Sequence, residues 1–290
     1  MAGEVSEVNV DLDTVSEVVL ARERADLAQV GVGSAVLAGG TFLFSEPHDH
    51  LHRLIDITTL GWAPLTETAR GLEIAATCTL AEFAGARPGR ELGTSTLWPQ
   101  WPGTALFAES CRALLASHKI WRTATVGGNV CLSLPAGAVL GALVALDATA
   151  VIWPRGGGER RISLRDFVTG PGENLLGSGA VVRSFLVPTS SLVARTSFRK
   201  IALAPLGRSG SVVMGRRAVD DRCAITITAA TVRPIVLDFD SVPLPSEVND
   251  ALADIPGEVW FDDPHGAPDW REHVTGLLAA EVAAELRQAS

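Results

Sequence analysis

Two pairs of consecutive glycines are the residues of this chain whose type and spacing could bind a ligand. They lie in Leu37–Phe42 (LAGGTF) and Ala124–Asn129 (ATVGGN), and each pair follows a short apolar stretch that we interpret as a strand. Glycine lets the backbone approach a ligand closely, and consecutive N–H groups form a concavity that suits an anion. Either pair alone favours a simple tight turn. Their repetition beside Thr or Asn predicts two facing loops that clamp a diphosphate.

The segment His48–His52 (HDHLH) offers the spacing of a metal site. His48 and His52 stand at i and i+4, which would place two ligands on one face of a helix. Three polar residues in a surface turn explain the same segment without a metal, and we favour that interpretation. No Ser/His/Asp set or pair of carboxylates has local support, so the sequence does not predict catalysis by this chain alone.

Composition argues against several classes of function. The 290 residues carry a net charge of −9, whereas binding to nucleic acids or anionic membranes needs basic clusters. A hydrophobic content of 47% with 20% charged residues predicts a globular chain. Neither a signal peptide nor an apolar run of membrane-spanning length is visible, and the four cysteines are far apart without C-x-x-C spacing. We expect a cytoplasmic protein with free thiols, and neither a zinc nor an iron–sulfur site.

The stretch around the first glycine pair predicts a small α/β unit over residues 1–60. Cap chemistry followed by valines predicts a helix over Asp11–Ala21. The apolar runs Ser34–Ala38 and Leu54–Ile57 predict two strands.

A second α/β unit is expected over residues 61–189, around the second glycine pair. Thr79 with Glu82 three residues later predicts the start of a helix. The stretch Ala136–Leu146 is apolar on all sides, which predicts a helix buried against a sheet.

The last unit, residues 190–290, is expected to hold a small antiparallel sheet and a long final helix. Pro268 and Asp269 open that helix, and its apolar stripe consists of Val274, Leu277, Leu278, Val282 and Leu286. The acidic, proline-containing stretch 238–256 predicts a loop. Strands are predicted at Ser197–Leu203, Ser211–Met214 and Cys223–Ala229.

The segments around the glycine pairs resemble the FAD-binding medium subunits of molybdenum hydroxylases, the family of xanthine dehydrogenase and carbon monoxide dehydrogenase. Leu37–Leu43 (LAGGTFL) and Ala116–Asn129 (ASHKIWRTATVGGN) are similar to the two flavin loops of that family. The resemblance continues in order along nearly the whole chain, at Leu54–Leu60, Ile74–Phe83, Leu164–Gly170 and Trp270–Leu286.

The resemblance implies an α+β fold. Two α/β subdomains of the kind found in vanillyl-alcohol oxidase and p-cresol methylhydroxylase would hold FAD between them. A C-terminal domain of a small antiparallel sheet packed with helices would follow. In such an enzyme a small 2Fe–2S subunit delivers electrons to FAD, and FAD reduces NAD, oxygen or a quinone. A large molybdopterin subunit hydroxylates the substrate, and the implied assembly is a dimer of heterotrimers.

The same resemblance implies which residues bind FAD. Lys200 matches a family position near the flavin, where a lysine would favour a reduced, anionic flavin. An exposed strand cation explains Lys200 equally well. The other implied residues are Leu37, Ala38, Gly39, Gly40, Thr41 and Phe42 in the first loop, and Thr125, Gly127, Gly128 and Asn129 in the second.

Three departures from the family pattern favour a second hypothesis, a non-catalytic scaffold subunit that has weakened or lost FAD binding. Ala138 stands near the place of a family acid, Trp121 replaces a family arginine, and the chain has no tyrosine. Trp121 or Phe42 would then be the flat neighbour of the flavin ring. A third hypothesis, a self-contained flavin oxidase, conflicts with the absence of an acid–base set. Bound flavin separates the first two hypotheses, and turnover by the isolated chain would support the third.

Overall fold

The computed structural model describes residues 12–85 and 98–288. Its strands form four sheets, and the three larger ones follow one another along the chain. Strands of the first sheet lie within the predicted unit 1–60, those of the second within 61–189 and those of the third within 190–290. None of the helices in the described ranges has the length and apolar character needed to span a membrane.

The first sheet is parallel and has the order β1-β3-β2. Its strands are β1 (Glu17–Leu20), β2 (Ser34–Leu37) and β3 (Arg53–Asp56), with a 3-10 helix at Arg24–Gln29 between the first two. The structure therefore confirms the two predicted strands. The helix predicted over Asp11–Ala21 is wrong within the described residues, and Asp11 lies outside them. The β-branched Val18 and Val19 of this segment pair with β3 instead.

The second sheet is antiparallel, with the order β4-β5-β10-β6-β7, and a short pair β8-β9 lies beside it. Its longest strand, β10, lies at the centre. The strands are β4 (Leu65–Thr68), β5 (Gly71–Ala75), β6 (Thr149–Trp153), β7 (Arg160–Ser163), β8 (Val168–Gly170), β9 (Glu173–Asn174) and β10 (Val181–Pro188).

Seven helices of this part of the described chain cover the second sheet and lead into the third. Thr79 and Glu82 form the predicted capping box at the start of the first of them. The helices are α1 (Leu80–Phe83), α2 (Ala105–Ala113), α3 (His118–Thr123), α4 (Val126–Leu132), α5 (Ala138–Ala145), α6 (Leu164–Phe167) and α7 (Thr189–Leu192), with 3-10 turns at Thr58–Leu60 and Pro102–Thr104.

The third sheet is antiparallel in sequence order, and the structure confirms its three predicted strands. Its strands are β11 (Arg195–Ile201), β12 (Ser211–Arg217), β13 (Cys223–Thr228) and β14 (Ile235–Phe239), and the helices α8 (Pro245–Ala253) and α9 (Pro268–Gln288) follow, with a 3-10 turn at Gly257–Val259 between them. The loop predicted over 238–256 is wrong, because it contains the end of β14 and all of α8. Glu247 caps α8 by accepting from the Leu244 N–H at 2.7 Å, and Val248 and Leu252 bury its inner face.

Two helices hold the third sheet in place. Every residue of α5 is buried, as predicted, and a Cβ on its Gly141 would lie 2.7 Å from the Thr228 side chain of β13. The helix α9 packs on the sheet through Val274, Leu278, Val282 and Leu286, as predicted, but Leu277 is 55% exposed. The stripe of α9 is therefore narrower than the sequence pattern suggested.

Candidate functional site

A cleft of about 570 Å³ opens where the two glycine pairs meet. One wall is the crossover from β2 to β3, and the other is built from α1, the end of α2, α3 and α4. The first wall contributes Val36, Ala38, Gly39, Gly40, Thr41, Phe42, Leu43 and His48. The second contributes Leu80, Leu114, Leu115, Ala116, Ile120, Ala124, Thr125, Gly128, Asn129, Cys131, Leu132 and Leu134.

The first glycine pair is the point at which the two walls touch. A Cβ on Gly39 would lie 2.1 Å from the Thr123 carbonyl oxygen, so only glycine allows this approach. Gly40 has φ +67°, a left-handed conformation that glycine adopts without strain, and its carbonyl accepts from the Phe44 N–H at 2.9 Å. Gly39 is thus required by the close approach of the Thr123 backbone, and Gly40 by its left-handed backbone conformation.

Free backbone donors are concentrated at this first pair. Within the described ranges, the N–H groups of residues 39–43 donate to no protein acceptor. The turn that follows is closed instead by the N–H groups of Phe44 and Ser45. Five consecutive unpaired N–H groups beside a cleft give partial positive charge without any basic side chain. This stretch can therefore bind an anion such as a phosphate.

The second glycine pair is arranged differently from the prediction, which was a loop after a strand. It lies in the first turn of α4, and helix α3 precedes it. Its N–H groups are all used inside the protein: Val126 donates to Cys78 O, Gly127 to Ala76 O, Gly128 to Thr125 Oγ1 and Asn129 to Thr125 O, at 2.8–3.1 Å. The expected pair of matching N–H loops is therefore wrong, because the cap residue Thr125 and the residues Ala76 and Cys78, which follow β5, accept from these donors.

The second glycine pair contributes to the site by close packing of α4 on the sheet and by the side chain of the adjacent Asn129. A Cβ on Gly127 would lie 2.7 Å from Ala76, so this glycine joins α4 to the sheet. Gly128 faces the cleft, where a Cβ would meet only Thr125 Oγ1, at 3.2 Å. Asn129 Oδ1 accepts from the Leu140 N–H at 3.2 Å, which caps α5 and leaves the Asn129 amide N–H groups free to donate.

Eight of the eleven residues predicted to bind the cofactor line the cleft: Ala38, Gly39, Gly40, Thr41, Phe42, Thr125, Gly128 and Asn129. Leu37 lies in β2, Gly127 packs on Ala76, and Lys200 is exposed on β11. Their assignment as binding residues stays a prediction. Trp121 is 6% exposed and belongs to the main hydrophobic core, and Ala138 is 1% exposed and begins the buried helix α5. Neither residue lines the cleft.

Sequence reasoning missed His48. Its neighbours His50 and His52 are exposed, as expected of a surface turn, but His48 is half-buried and lines the cleft. The segment is not helical, so the i, i+4 metal geometry does not form, and no group of three or more potential metal ligands is present in the described part of the chain. The available signal was that this segment is part of the same crossover as the first glycine pair.

The electrostatics of the lining suit binding more than acid–base chemistry. Among the described residues, the lining has no Asp, Glu, Lys or Arg. Burial raises the pKa of the Cys131 thiol to about 12, so it stays neutral at physiological pH. The backbone and side-chain donors of the lining lie at the glycine pairs, and leucines and Ile120 make up much of the rest. Such a lining can hold an anionic group at its donors and a flat ring against its apolar side chains.

A larger cleft of about 790 Å³ lies between the second and third sheets and has a different character. Its charged side chains pair with one another: Arg165 binds Asp238 at 2.5 Å, and Asp147 pairs with both Arg165 and Arg216. Opposite charges that already satisfy each other hold the two sheets together.

Comparisons with known proteins agree with this geometry. The family described as "FAD binding domain in molybdopterin dehydrogenase" matches residues 14–190. Reconstituted CO dehydrogenase from Oligotropha carboxidovorans has a similar structure, with a TM-score of 0.78, 16% identity and coverage of 94% of this chain and 98% of that one. Quinoline 2-oxidoreductase from Pseudomonas putida 86 is also similar, with a TM-score of 0.74, 15% identity and coverage of 94% of this chain and 97% of that one. At such identities the structures show a shared fold. No curated protein matches the chain by sequence.

Proposed function

This chain belongs to the family of FAD-binding domains of molybdopterin dehydrogenases, and on that premise we propose that it passes electrons from iron–sulfur clusters of a partner subunit through FAD to an external acceptor. The family match, over more than half of the chain, makes it a FAD-binding member of an oxidoreductase family. The observation that carries the proposal is the cleft at the glycine pairs, whose lining combines the free N–H donors of residues 39–43 with apolar side chains.

The residues present fit FAD. A diphosphate needs hydrogen-bond donors and close backbone approach, and residues 39–43 provide five unpaired N–H groups. The Thr41 hydroxyl and the Asn129 amide lie in the same lining. Gly128 leaves room in the cleft where a side chain would intrude. We propose that these residues hold the diphosphate.

The apolar part of the lining would then orient the rings of the cofactor. This part carries no charge, and its apolar side chains are those of Leu114, Leu115, Ile120, Leu132 and Leu134. When bound, FAD supplies the ability to accept and release one or two electrons, and the protein supplies binding and electrostatics. The lining has no carboxylate or lysine in the described ranges, which supports the proposal that substrate chemistry takes place on another subunit.

The partners we propose are a large molybdopterin subunit and a small 2Fe–2S subunit, in a dimer of heterotrimers. One structural neighbour, a Cu,Mo-CO dehydrogenase, supports a partner that carries molybdenum. The four cysteines of this chain are free and apart, so it brings no cluster of its own. Free thiols also support the cytoplasmic location that we propose.

The first experiment is a visible spectrum of the purified chain, followed by denaturation and identification of any released flavin. We expect flavin bands near ~450 nm and FAD at about one per chain. Dithionite should bleach the bands, and an added acceptor should restore them. The isolated chain should turn over no hydroxylation substrate until a molybdopterin subunit is added.

Two outcomes would contradict the proposal. A folded, colourless chain that takes up no added FAD would favour the scaffold hypothesis for the isolated subunit. Substrate turnover by the chain alone would favour a self-contained flavin oxidase. Co-expression with the proposed partners would then show whether FAD binding needs them.

A further inference from the structure

We propose that His48 binds the diphosphate of FAD as a further cofactor-binding residue, an inference that rests on the proposed function. His48 lies on the crossover that also carries the free N–H groups of residues 39–43, and it lines the same cleft. Its Nε2 atom is buried and has no hydrogen-bond partner in the part of the chain that the structure describes.

A buried ring nitrogen without a partner, on a residue that lines a cleft, points to a missing partner, because proteins leave few buried polar atoms unsatisfied. The local contacts of His48 hold it in place without pairing Nε2. Its carbonyl accepts from the Leu51 N–H at 2.9 Å, and Leu51 is buried. The His50 ring meets the His48 ring edge-on, with centroids 6.0 Å apart. The turn is therefore fixed, while the polar end of the imidazole remains unpaired.

The lining of the cleft also lacks a basic side chain other than His48 among the described residues. A diphosphate is anionic, yet the described lining has neither Lys nor Arg, and Lys200 lies exposed on β11 outside it. Within the described lining, His48 is the side chain that can carry a full positive charge. An imidazole N–H is a good donor to a phosphate oxygen, and an imidazolium is a stronger one.

The position of the imidazole also limits how it can act. Protein atoms cover Nε2, so it meets a phosphate only after the ring turns towards the cleft. That is a side-chain rotation and leaves the hydrogen bond from Leu51 to His48 intact. His48 would thus add its hydrogen bond after the backbone N–H groups have positioned the diphosphate.

The test compares FAD affinity of the full chain, stripped of flavin, in the wild type and in three variants, by quenching of flavin fluorescence. His48→Leu should weaken FAD binding roughly 10- to 100-fold, the effect of a lost hydrogen bond to a charged group. His48→Gln, which keeps an amide N–H donor, should recover part of that loss. His273→Leu, at an exposed position of α9 outside the lining of the cleft, should bind FAD like the wild type. Riboflavin has no phosphate, so His48→Leu should not change its affinity.

Each contrary result has a distinct meaning. Equal FAD affinity of the wild type and His48→Leu would overturn the role of His48 and leave the proposed function standing. An equal loss of FAD and riboflavin binding in His48→Leu would also overturn it, since the effect would then be on the shape of the cleft. A folded wild-type chain that binds no FAD would overturn both the inference and the proposed function.

Discussion

Gly39 and Thr123 are in backbone contact across the cleft: a Cβ on Gly39 would lie 2.1 Å from the Thr123 carbonyl oxygen. Gly39 belongs to the crossover after β2, and Thr123 ends α3. The contact therefore fixes the distance between the free N–H groups of residues 39–43 and the side chains of α4. The two glycine motifs form one site because this contact brings their backbones together.

We expect Gly39→Ala to separate the two walls and to abolish measurable FAD binding. The clash is with backbone, which cannot rotate away, so the unfolding free energy should fall by about 1–3 kcal/mol. Gly156→Ala is a matched control, because a Cβ at Gly156 meets nothing within 4 Å. Chemical denaturation and FAD titration of both variants check this. Normal FAD binding by Gly39→Ala would show that the contact is not needed.

Substitution of the neighbours Gly127 and Gly128 should affect different properties, stability at Gly127 and FAD binding at Gly128. Gly127→Ala should cost about 1–3 kcal/mol of stability through its clash with Ala76, at 2.7 Å. Gly128→Ala should leave stability nearly unchanged, whereas Gly128→Asp should abolish FAD binding by placing a negative charge in the cleft. Urea unfolding and FAD titration separate the two effects. Equal stability loss in Gly127→Ala and Gly128→Ala would contradict the structure.

Much of the fold could be predicted because local patterns decide it. The strands β2 and β3 have apolar centres (Ala35–Leu37 and Leu54–Ile55), Thr79 and Glu82 form a capping box, and α9 has an apolar stripe between clear ends. These features need no knowledge of distant residues. The family resemblance then supplied the order of the three units and the cofactor.

What could not be predicted depends on tertiary contacts. Val18 and Val19 became a strand because β3, far along the chain, offers an edge to pair with. The second glycine pair became helical because Cys78 and Ala76 accept its first N–H groups. His48 was assigned to a surface turn because its immediate neighbours are polar, although it belongs to the same crossover as the first glycine pair, and its place in the lining depends on the fold. The strand β1 and the second glycine pair thus depend on partners that are distant in the sequence. The helix α8 is different, because its cap, from the Leu244 N–H to Glu247, is local and was present in the sequence.

Arg271 should be essential for the third unit. It is 1% exposed and donates to the carbonyls of Gly266 and Gly210 at 2.8 and 2.7 Å, and to Asp263 and the Ala229 carbonyl. Arg271→Met would leave these acceptors buried and unpaired, at a cost of about 3–5 kcal/mol. Arg222→Met is the control, because the Arg222 side chain is 73% exposed in its pair with Asp220.

Thermal and urea unfolding of the two arginine variants provide the measurement. Arg222→Met should stay within about 0.5 kcal/mol of the wild type, as exposed ion pairs contribute little. A similar, small loss in both variants would mean that water reaches the acceptors around Arg271.

Cys111 should make the protein less stable at alkaline pH. It is fully buried, and that burial raises the pKa of its thiol from 9.0 to about 12. Between these values the unfolded chain loses the proton while the folded chain keeps it, so stability is complete below pH 9 and falls as pH rises. The loss should approach ~1.4 kcal/mol per pH unit for this thiol.

Urea unfolding of the wild type and Cys111→Ala at pH 8 and pH 10 measures this loss of stability. The variant should start less stable, because of the cavity, but lose less on going to pH 10. Equal losses in both proteins would assign the alkaline effect to other groups, such as the buried Cys78, whose pKa is also raised by burial.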